Sequence, residues 1–144
     1  MALFSKGSSA PEGLTRERIE AALGANGWKY TVDEDGDIGG LWENSIFFFL
    51  RGGEQRHILL IRGRWDSYQP IDRRAQIREL LDEWHDSKIW PKGFTNVDDE
   101  GRLWVLAEHS LDCEHGVTDE QLNLVIKSTL KASVTMFQFL GERL

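Results

Sequence analysis

The sequence of 144 residues contains one cysteine, three prolines and no long apolar run. Its single cysteine, Cys113, cannot form a disulfide within the chain, which is typical of proteins in a reducing compartment. No charged and then apolar signal segment opens the chain, and no apolar run is longer than residues 46–50, which is far shorter than the ~20 residues of a membrane span. We therefore expect a cytoplasmic protein without a membrane partner.

The sequence also lacks an excess of basic residues. It has 17 Lys and Arg against 24 Asp and Glu, which gives a net charge of −7. Proteins that bind nucleic acid present a basic surface to the phosphates, so we expect no nucleic-acid partner. Core-forming residues are plentiful, with six Trp and seven Phe. This composition predicts one folded domain rather than a disordered chain.

The order of secondary structure follows from the spacing of apolar residues. Residues 1–13 show no sustained period, so we expect a flexible N-terminal arm followed by one domain over residues 14–144. Helical spacing predicts helices after Thr15, over residues 73–87 and after Thr118, which has capping-box spacing with Gln121. Alternating patterns predict a three-stranded meander and then a hairpin. The predicted fold is α+β, an antiparallel five-stranded sheet with three helices in the order α-β-β-β-α-β-β-α.

Residues 31–42, TVDEDGDIGGLW, resemble the start of a calcium-binding loop. Asp33, Asp35 and Asp37 occupy the first three ligand positions, but the position that needs glycine is Ile38 and the position that needs glutamate is Asn44. Strand-like sequences flank the stretch, whereas a calcium loop needs helices. We interpret it as a hairpin turn of type I′ at Asp35 and Gly36, without a metal.

The cluster EHSLDCEHG, residues 108–116, contains potential zinc ligands and a thiol. A zinc site would need a second ligand pair, yet the remaining histidines, His57 and His85, stand alone. His109 and Cys113 are four apart on a predicted strand, too far for a direct hydrogen bond. Glycine patterns of nucleotide-binding loops are absent too. We expect no metal, no cofactor and no catalytic residue, and hence no enzyme.

The density of aromatic residues around the second predicted strand is the most unusual feature. If residues 38–52 form one strand, both of its faces are apolar, one with Trp42 and Phe48 and the other with Phe47 and Phe49. One face must pack on the helices, and the other needs a further layer or a partner. We expect Trp42, Phe47, Phe49 and Trp65 to lie near a partner-binding or dimer surface.

Several motifs in order resemble the YbjN family in its actinobacterial branch, whose members are described as "putative bacterial sensory transduction regulators". They are WKYTVDEDGDIGGLW, GRW, WPK and GVTDEQL, and the resemblance covers nearly all residues from Leu14 onwards. It implies the fold of type III secretion chaperones and a regulatory or chaperone-like binding module with no established catalytic residues. It also implies a homodimer, as in that chaperone class.

Two hypotheses follow for the function. The first is a non-catalytic module that binds a protein or peptide partner, with a surface built from Trp42, Phe47, Phe49, Arg62, Arg64, Trp65 and Trp90. The second is a small-ligand sensor or small enzyme with a pocket near Arg62, Arg64, Glu108 and Asp112. The second hypothesis requires these four side chains to converge in a cleft.

Overall fold

The computed structural model describes residues 10–144. Its helices are α1 (Arg16–Ala25), α2 (Arg74–Ser87, preceded by a 3₁₀ turn at Ile71–Arg73) and α3 (Asp119–Arg143). Its strands are β1 (Thr31–Val32), β2 (Ile38–Trp42), β3 (Ser45–Gly52), β4 (Ile58–Arg64), β5 (Lys92–Val97) and β6 (Leu103–Asp112). They form one antiparallel sheet in the order β1-β2-β3-β4-β6-β5. Within the described residues, no helix is long and apolar enough to cross a membrane.

The predicted α+β class and the three helices are confirmed, but the prediction of five strands is wrong because the sheet has six. Residues 38–52 form two strands rather than one, since the chain reverses at Glu43 and Asn44. These residues have φ angles of 49° and 70°, and Trp42 pairs with Ser45 across the turn. Such a two-residue hairpin usually contains glycine, and its absence hides the turn in the sequence.

The acidic stretch at residues 33–37 is a hairpin turn, but of another kind than predicted. The carboxylate oxygen Oδ1 of Asp33 accepts the backbone N–H groups of Asp35 and Asp37, each at 2.9 Å. Only Gly36 adopts a positive φ, at 85°, so the turn is not of type I′. Asp98 repeats the arrangement in the β5–β6 turn. The Asp33 carboxylate is thus engaged in closing a turn.

Side-chain caps begin α1 and α3 as the sequence predicts. The Thr15 hydroxyl accepts the N–H of Arg18, and Thr118 and Gln121 form a reciprocal capping box. Part of the predicted arm, residues 1–9, lies outside the described residues. Of its remainder, Glu12 forms a β-bridge with Val117, and Arg18 donates to the carbonyls of Glu12 and Gly13. This end of the arm is therefore attached to the domain.

One face of the sheet packs against the helices, and we call it the inner face. Burial alternates along β3, β4 and β6, so every second side chain enters the core. The Phe137 ring of α3 lies 6.3 Å from those of Phe47 and Trp65. All three helices share one core cluster with inner-face side chains such as Ile38, Phe49, Leu59, Ile61, Leu103 and Val105.

A candidate protein-binding face on the sheet

The opposite face of the sheet, here called the outer face, carries an apolar surface that the core does not include. Its larger apolar side chains are Leu41, Ile46, Phe48, Leu50, Leu60, Phe94, Trp104 and Leu106, and none belongs to the core cluster or packs against it. Leu41 is 67% exposed and the others are half-buried. Within residues 10–144 all three helices lie over the inner face. This apolar surface makes the outer face the candidate interaction site.

The strand register arranges the outer face in rows that cross the sheet. One row runs from β2 to β5 through Leu41, Ile46, Arg64, Leu106 and Phe94. The neighbouring row runs through Gly39, Phe48, Arg62, Glu108 and Lys92. The face is therefore apolar over β2 and β3 and mixed with charges over β4, β6 and β5.

The apolar half contains a hollow of about 590 Å³. It is lined by apolar and aromatic side chains, by two glycines and by polar and charged residues, namely Tyr30, Leu41, Ile46, Phe48, Gly39, Gly40, Thr31, Lys29, Asp33 and Asp37. A Cβ atom at Gly39 would lie 3.2 Å from the Phe48 ring. The Tyr30 hydroxyl donates to the Glu20 carboxylate, and this hydrogen bond raises the pKa of Tyr30. The hollow can accommodate an apolar side chain of a bound segment.

In the charged half, most groups are paired within the chain. Arg62 donates from Nε and Nη2 to Oε2 of Glu108, at 2.7 and 2.5 Å. Asp98 accepts the indole N–H of Trp104 at 2.9 Å and pairs with Arg102. The Trp104 hydrogen bond is the main reason that the pKa of Asp98 falls well below its ordinary value of 3.8. These pairs hold the surface in a defined arrangement.

An aromatic and cationic cluster lies at the end of this half. The Arg64 guanidinium lies 4.0 Å above the centre of the Trp104 ring. The Tyr68 ring is 5.4 Å from Trp104, and the Arg102 guanidinium is 5.4 Å from Tyr68. Cations and aromatic rings at such distances attract each other, so the four side chains form one cluster.

The predicted surface residues are divided between the two faces. Arg62 and Arg64 lie on the outer face as part of the rows above. Phe47 and Phe49, which are 0% and 2% exposed, and Trp65 are buried on the inner face, so the prediction that they lie at a surface is wrong. The cause is that the helices cover the face to which these rings point, a choice that two apolar faces leave open; the hairpin at Glu43 and Asn44 does not change the alternation along β3.

The same hairpin moves Trp42 to the face of Phe47 and Phe49, at ring distances of 5.8 and 5.6 Å. The prediction that Trp42 points away from them is therefore wrong. Trp90 lies apart from the other predicted residues. It is 45% exposed, before β5, with its ring 4.8 Å from that of His109.

The pocket expected near Arg62, Arg64, Glu108 and Asp112 does not form. Arg62 and Glu108 satisfy each other, while Arg64 lies on Trp104. Asp112 pairs in register with Ile58, four residues along β6 from Glu108, which is roughly 13 Å on a strand. The four side chains are spread over an open sheet rather than directed into one cleft.

Metal and thiol chemistry gain no support from the geometry. Among residues 10–144 no three His, Cys, Asp or Glu side chains are grouped as metal ligands. Cys113 is buried, and burial raises the pKa of its thiol, which disfavours the reactive thiolate. Burial also lowers the pKa of His109, whose ring contacts Trp90. Both residues have packing roles in this arrangement.

Sequence reasoning missed Tyr68, Phe94 and Trp104 as outer-face residues. Alternation in RLWVLAEH, residues 102–109, separates Leu103 and Val105 from Trp104 and Leu106, so the two faces of β6 were readable. Which of the two faces the helices cover was not readable, because both are apolar.

Comparison with known proteins gives a family and a fold. The model of one protein family, YbjN, described as "Putative bacterial sensory transduction regulator", matches residues 15–142. No curated protein matches the sequence. Among solved structures, the crystal structure of YbjN from E. coli, described as a "putative transcription regulator", is similar with a TM-score of 0.77 at 12% identity. The similarity covers 93% of this chain and 97% of that one, and at this identity it shows the fold alone.

Proposed function

The chain belongs to the YbjN family, and on that premise we propose that it is a non-catalytic regulatory protein that binds a polypeptide partner on its outer face. The observation that carries the proposal is the apolar sheet face without a covering layer among residues 10–144. An apolar sheet face exposed to water favours association. The paired charges around it supply the polar rim that such interfaces have.

The finer features of this proposal come from the resemblance described above. They are a chaperone-like mode of action, the fold of type III secretion chaperones, membership of the actinobacterial branch and a cytoplasmic location. The net charge of −7 favours a protein partner over nucleic acid. The dispersed Arg62, Arg64, Glu108 and Asp112 disfavour the alternative of a ligand sensor or small enzyme.

A second copy of this chain is one partner that the outer face suits. Acidic residues 33–37 lie at the β1–β2 corner, and the Arg64 cluster lies near the far ends of β4 and β6. A two-fold axis in the plane of the sheet can bring each acidic corner near the other copy's cationic cluster. We therefore include a homodimer in the proposal.

The proposal is tested by capture of partners from a native lysate with wild type and two matched variants. Leu41→Asp places a charge in the outer face, and Leu124→Asp places one on α3 at a side chain of similar exposure, 64% against 67%. We expect the captured polypeptides to be lost with Leu41→Asp and kept with Leu124→Asp. Intact-mass analysis of the captured material identifies a small ligand if one is present. Equal capture by both variants, or capture of a small molecule alone, contradicts the proposal.

A further inference from the structure

We infer that Arg64 recognises a carboxylate of the bound partner, and that the partner segment carries an Asp or Glu side chain flanked by apolar residues. The inference rests on the proposed function, because it names the chemistry of the partner on the same outer face. The inference goes beyond the proposed function because it assigns the recognition of one negative charge of the partner to one side chain.

Among the arginines of the outer face and of its aromatic and cationic cluster, Arg64 is the one that forms no ion pair within residues 10–144. Arg62 is paired with Glu108, and Arg102 is paired with Asp98 and Glu100. Arg64 is exposed, and its contact is with the Trp104 ring at 4.0 Å. Its guanidinium N–H groups therefore remain free to bind an acceptor from outside the described chain.

The platform under Arg64 is fixed before a partner arrives. The indole N–H of Trp104 donates to Asp98, and the Tyr68 ring packs beside it at 5.4 Å. A planar guanidinium that lies on an aromatic ring keeps its edges available, and these edges match a carboxylate with two parallel hydrogen bonds. The stacked side chain loses less conformational freedom on binding than a free arginine does.

The surroundings of Arg64 determine what flanks the carboxylate. Across the strands its direct neighbours are Ile46 and Leu106, and Phe94 lies beyond Leu106. Lys92 adds a second positive charge, with its Nζ 5.3 Å from the Phe94 ring. A segment laid along this row meets apolar side chains on both sides of one cation, so an acidic residue between apolar residues complements it.

The charge balance favours a polypeptide over a nucleic acid as the source of the anion. The chain carries a net charge of −7, and on the outer-face side of β4, β5 and β6 the cations without an ion pair within residues 10–144 are Arg64 and Lys92. Binding to a nucleic acid through its phosphates needs several cations that release counterions. One or two unpaired cations suit a single carboxylate.

The inference is tested by selecting binders from a displayed library of random heptapeptides. The selection is made on wild type and on the Arg64→Gln, Arg64→Glu and Leu41→Asp proteins, and near-UV circular dichroism first verifies that each protein is folded. Wild type is expected to enrich peptides with Asp or Glu between apolar residues. Arg64→Glu is expected to enrich Lys or Arg at the same place. The best wild-type peptide is expected to bind the Arg64→Gln protein about tenfold more weakly than it binds wild type. A version of this peptide with Gln in place of its acidic residue is expected to show no such difference between the two proteins. Arg78→Glu, an exposed charge reversal on α2, is the control and keeps wild-type binding.

Failure of the inference is distinguishable from failure of the proposed function. If the selected peptides are apolar without a preference for acidic residues, and if Leu41→Asp weakens their binding but Arg64→Gln does not, the role of Arg64 is overturned. The outer face then remains the binding face. Enrichment that neither variant changes, or no enrichment at all, overturns both. Binding of a single-stranded oligonucleotide at about 0.15 M salt that Arg64→Gln abolishes overturns the assignment to a polypeptide.

Discussion

At the scale of single residues, Gly63 shows how closely the inner face of the sheet is packed. It pairs with Phe47 across β3 and β4, and a Cβ atom added at Gly63 would overlap the Phe47 ring. The ring cannot move away easily, because Trp42 and Phe137 contact it from other sides. Gly63 is therefore required by packing rather than by backbone conformation.

Gly63→Ala is expected to lower the free energy of unfolding by about 1–3 kcal/mol, the usual effect of overpacking a core. Urea denaturation followed by tryptophan fluorescence measures it. The matched control is Gly52→Ala in β3, where an added Cβ meets no atom within 4 Å. Equal stability of the two variants would show that Phe47 accommodates the methyl group.

His109 is expected to make stability depend on pH. Burial lowers its pKa below the ordinary 6.5 in the folded state, so the folded protein binds the proton less readily than the unfolded chain. The contribution of neutral His109 to stability is complete above about pH 6.5 and decreases as the pH falls through the lowered pKa. Urea midpoints at several pH values should fall less steeply for His109→Gln than for wild type. The exposed His115→Gln should follow wild type, and a parallel decline in all three proteins would exclude His109 as the cause.

At the scale of elements, the turn at Glu43 and Asn44 decides the strand count. Both residues have positive φ, a conformation that costs free energy for residues other than glycine. Asn-Gly is the preferred pair in two-residue turns of this kind. Replacing Glu43 and Asn44 with Asn-Gly should therefore stabilise the protein.

The double variant Glu43→Asn, Asn44→Gly is expected to raise the free energy of unfolding by about 1 kcal/mol. Thermal and urea unfolding measure the gain. Glu54→Asn, an exposed change in the β3–β4 connection where φ is not positive, serves as control and should be neutral within experimental error. A loss of stability in the double variant would mean that the Glu43 side chain itself supports the turn.

At the scale of the whole molecule, the proposed homodimer uses the outer face. Sedimentation at micromolar concentration is expected to show a dimer, or a monomer in weak equilibrium with it, for wild type and for Leu124→Asp. Leu41→Asp should be folded and monomeric, since it places a charge in the apolar face without entering the core. Phe47→Asp and Phe49→Asp should unfold, because their rings are buried beneath the helices.

A strictly monomeric wild type would leave the outer face to another polypeptide and remove the homodimer from the proposal. Self-association that Leu124→Asp abolishes and Leu41→Asp preserves would place the contact on α3 instead.

The sequence by itself determined those features that depend on neighbouring residues. The spacing of apolar residues predicts three helices, Thr118 with Gln121 predicts the capping box of α3, and the acidic stretch at residues 33–37 predicts a turn. All of these are present. Ordered motifs along the chain also sufficed to identify the YbjN family, which its family model confirms.

Only the tertiary structure decided which apolar face is core and which side chains form the candidate site. The turn without glycine at Glu43 and Asn44 reverses the chain and so moves Trp42 to the side of Phe47. Arg64 and Trp104 meet because β4 pairs with β6, strands separated in the sequence by α2 and β5. Strand register and the choice of face depend on the packing of distant segments, and no local pattern encodes either when both faces are apolar.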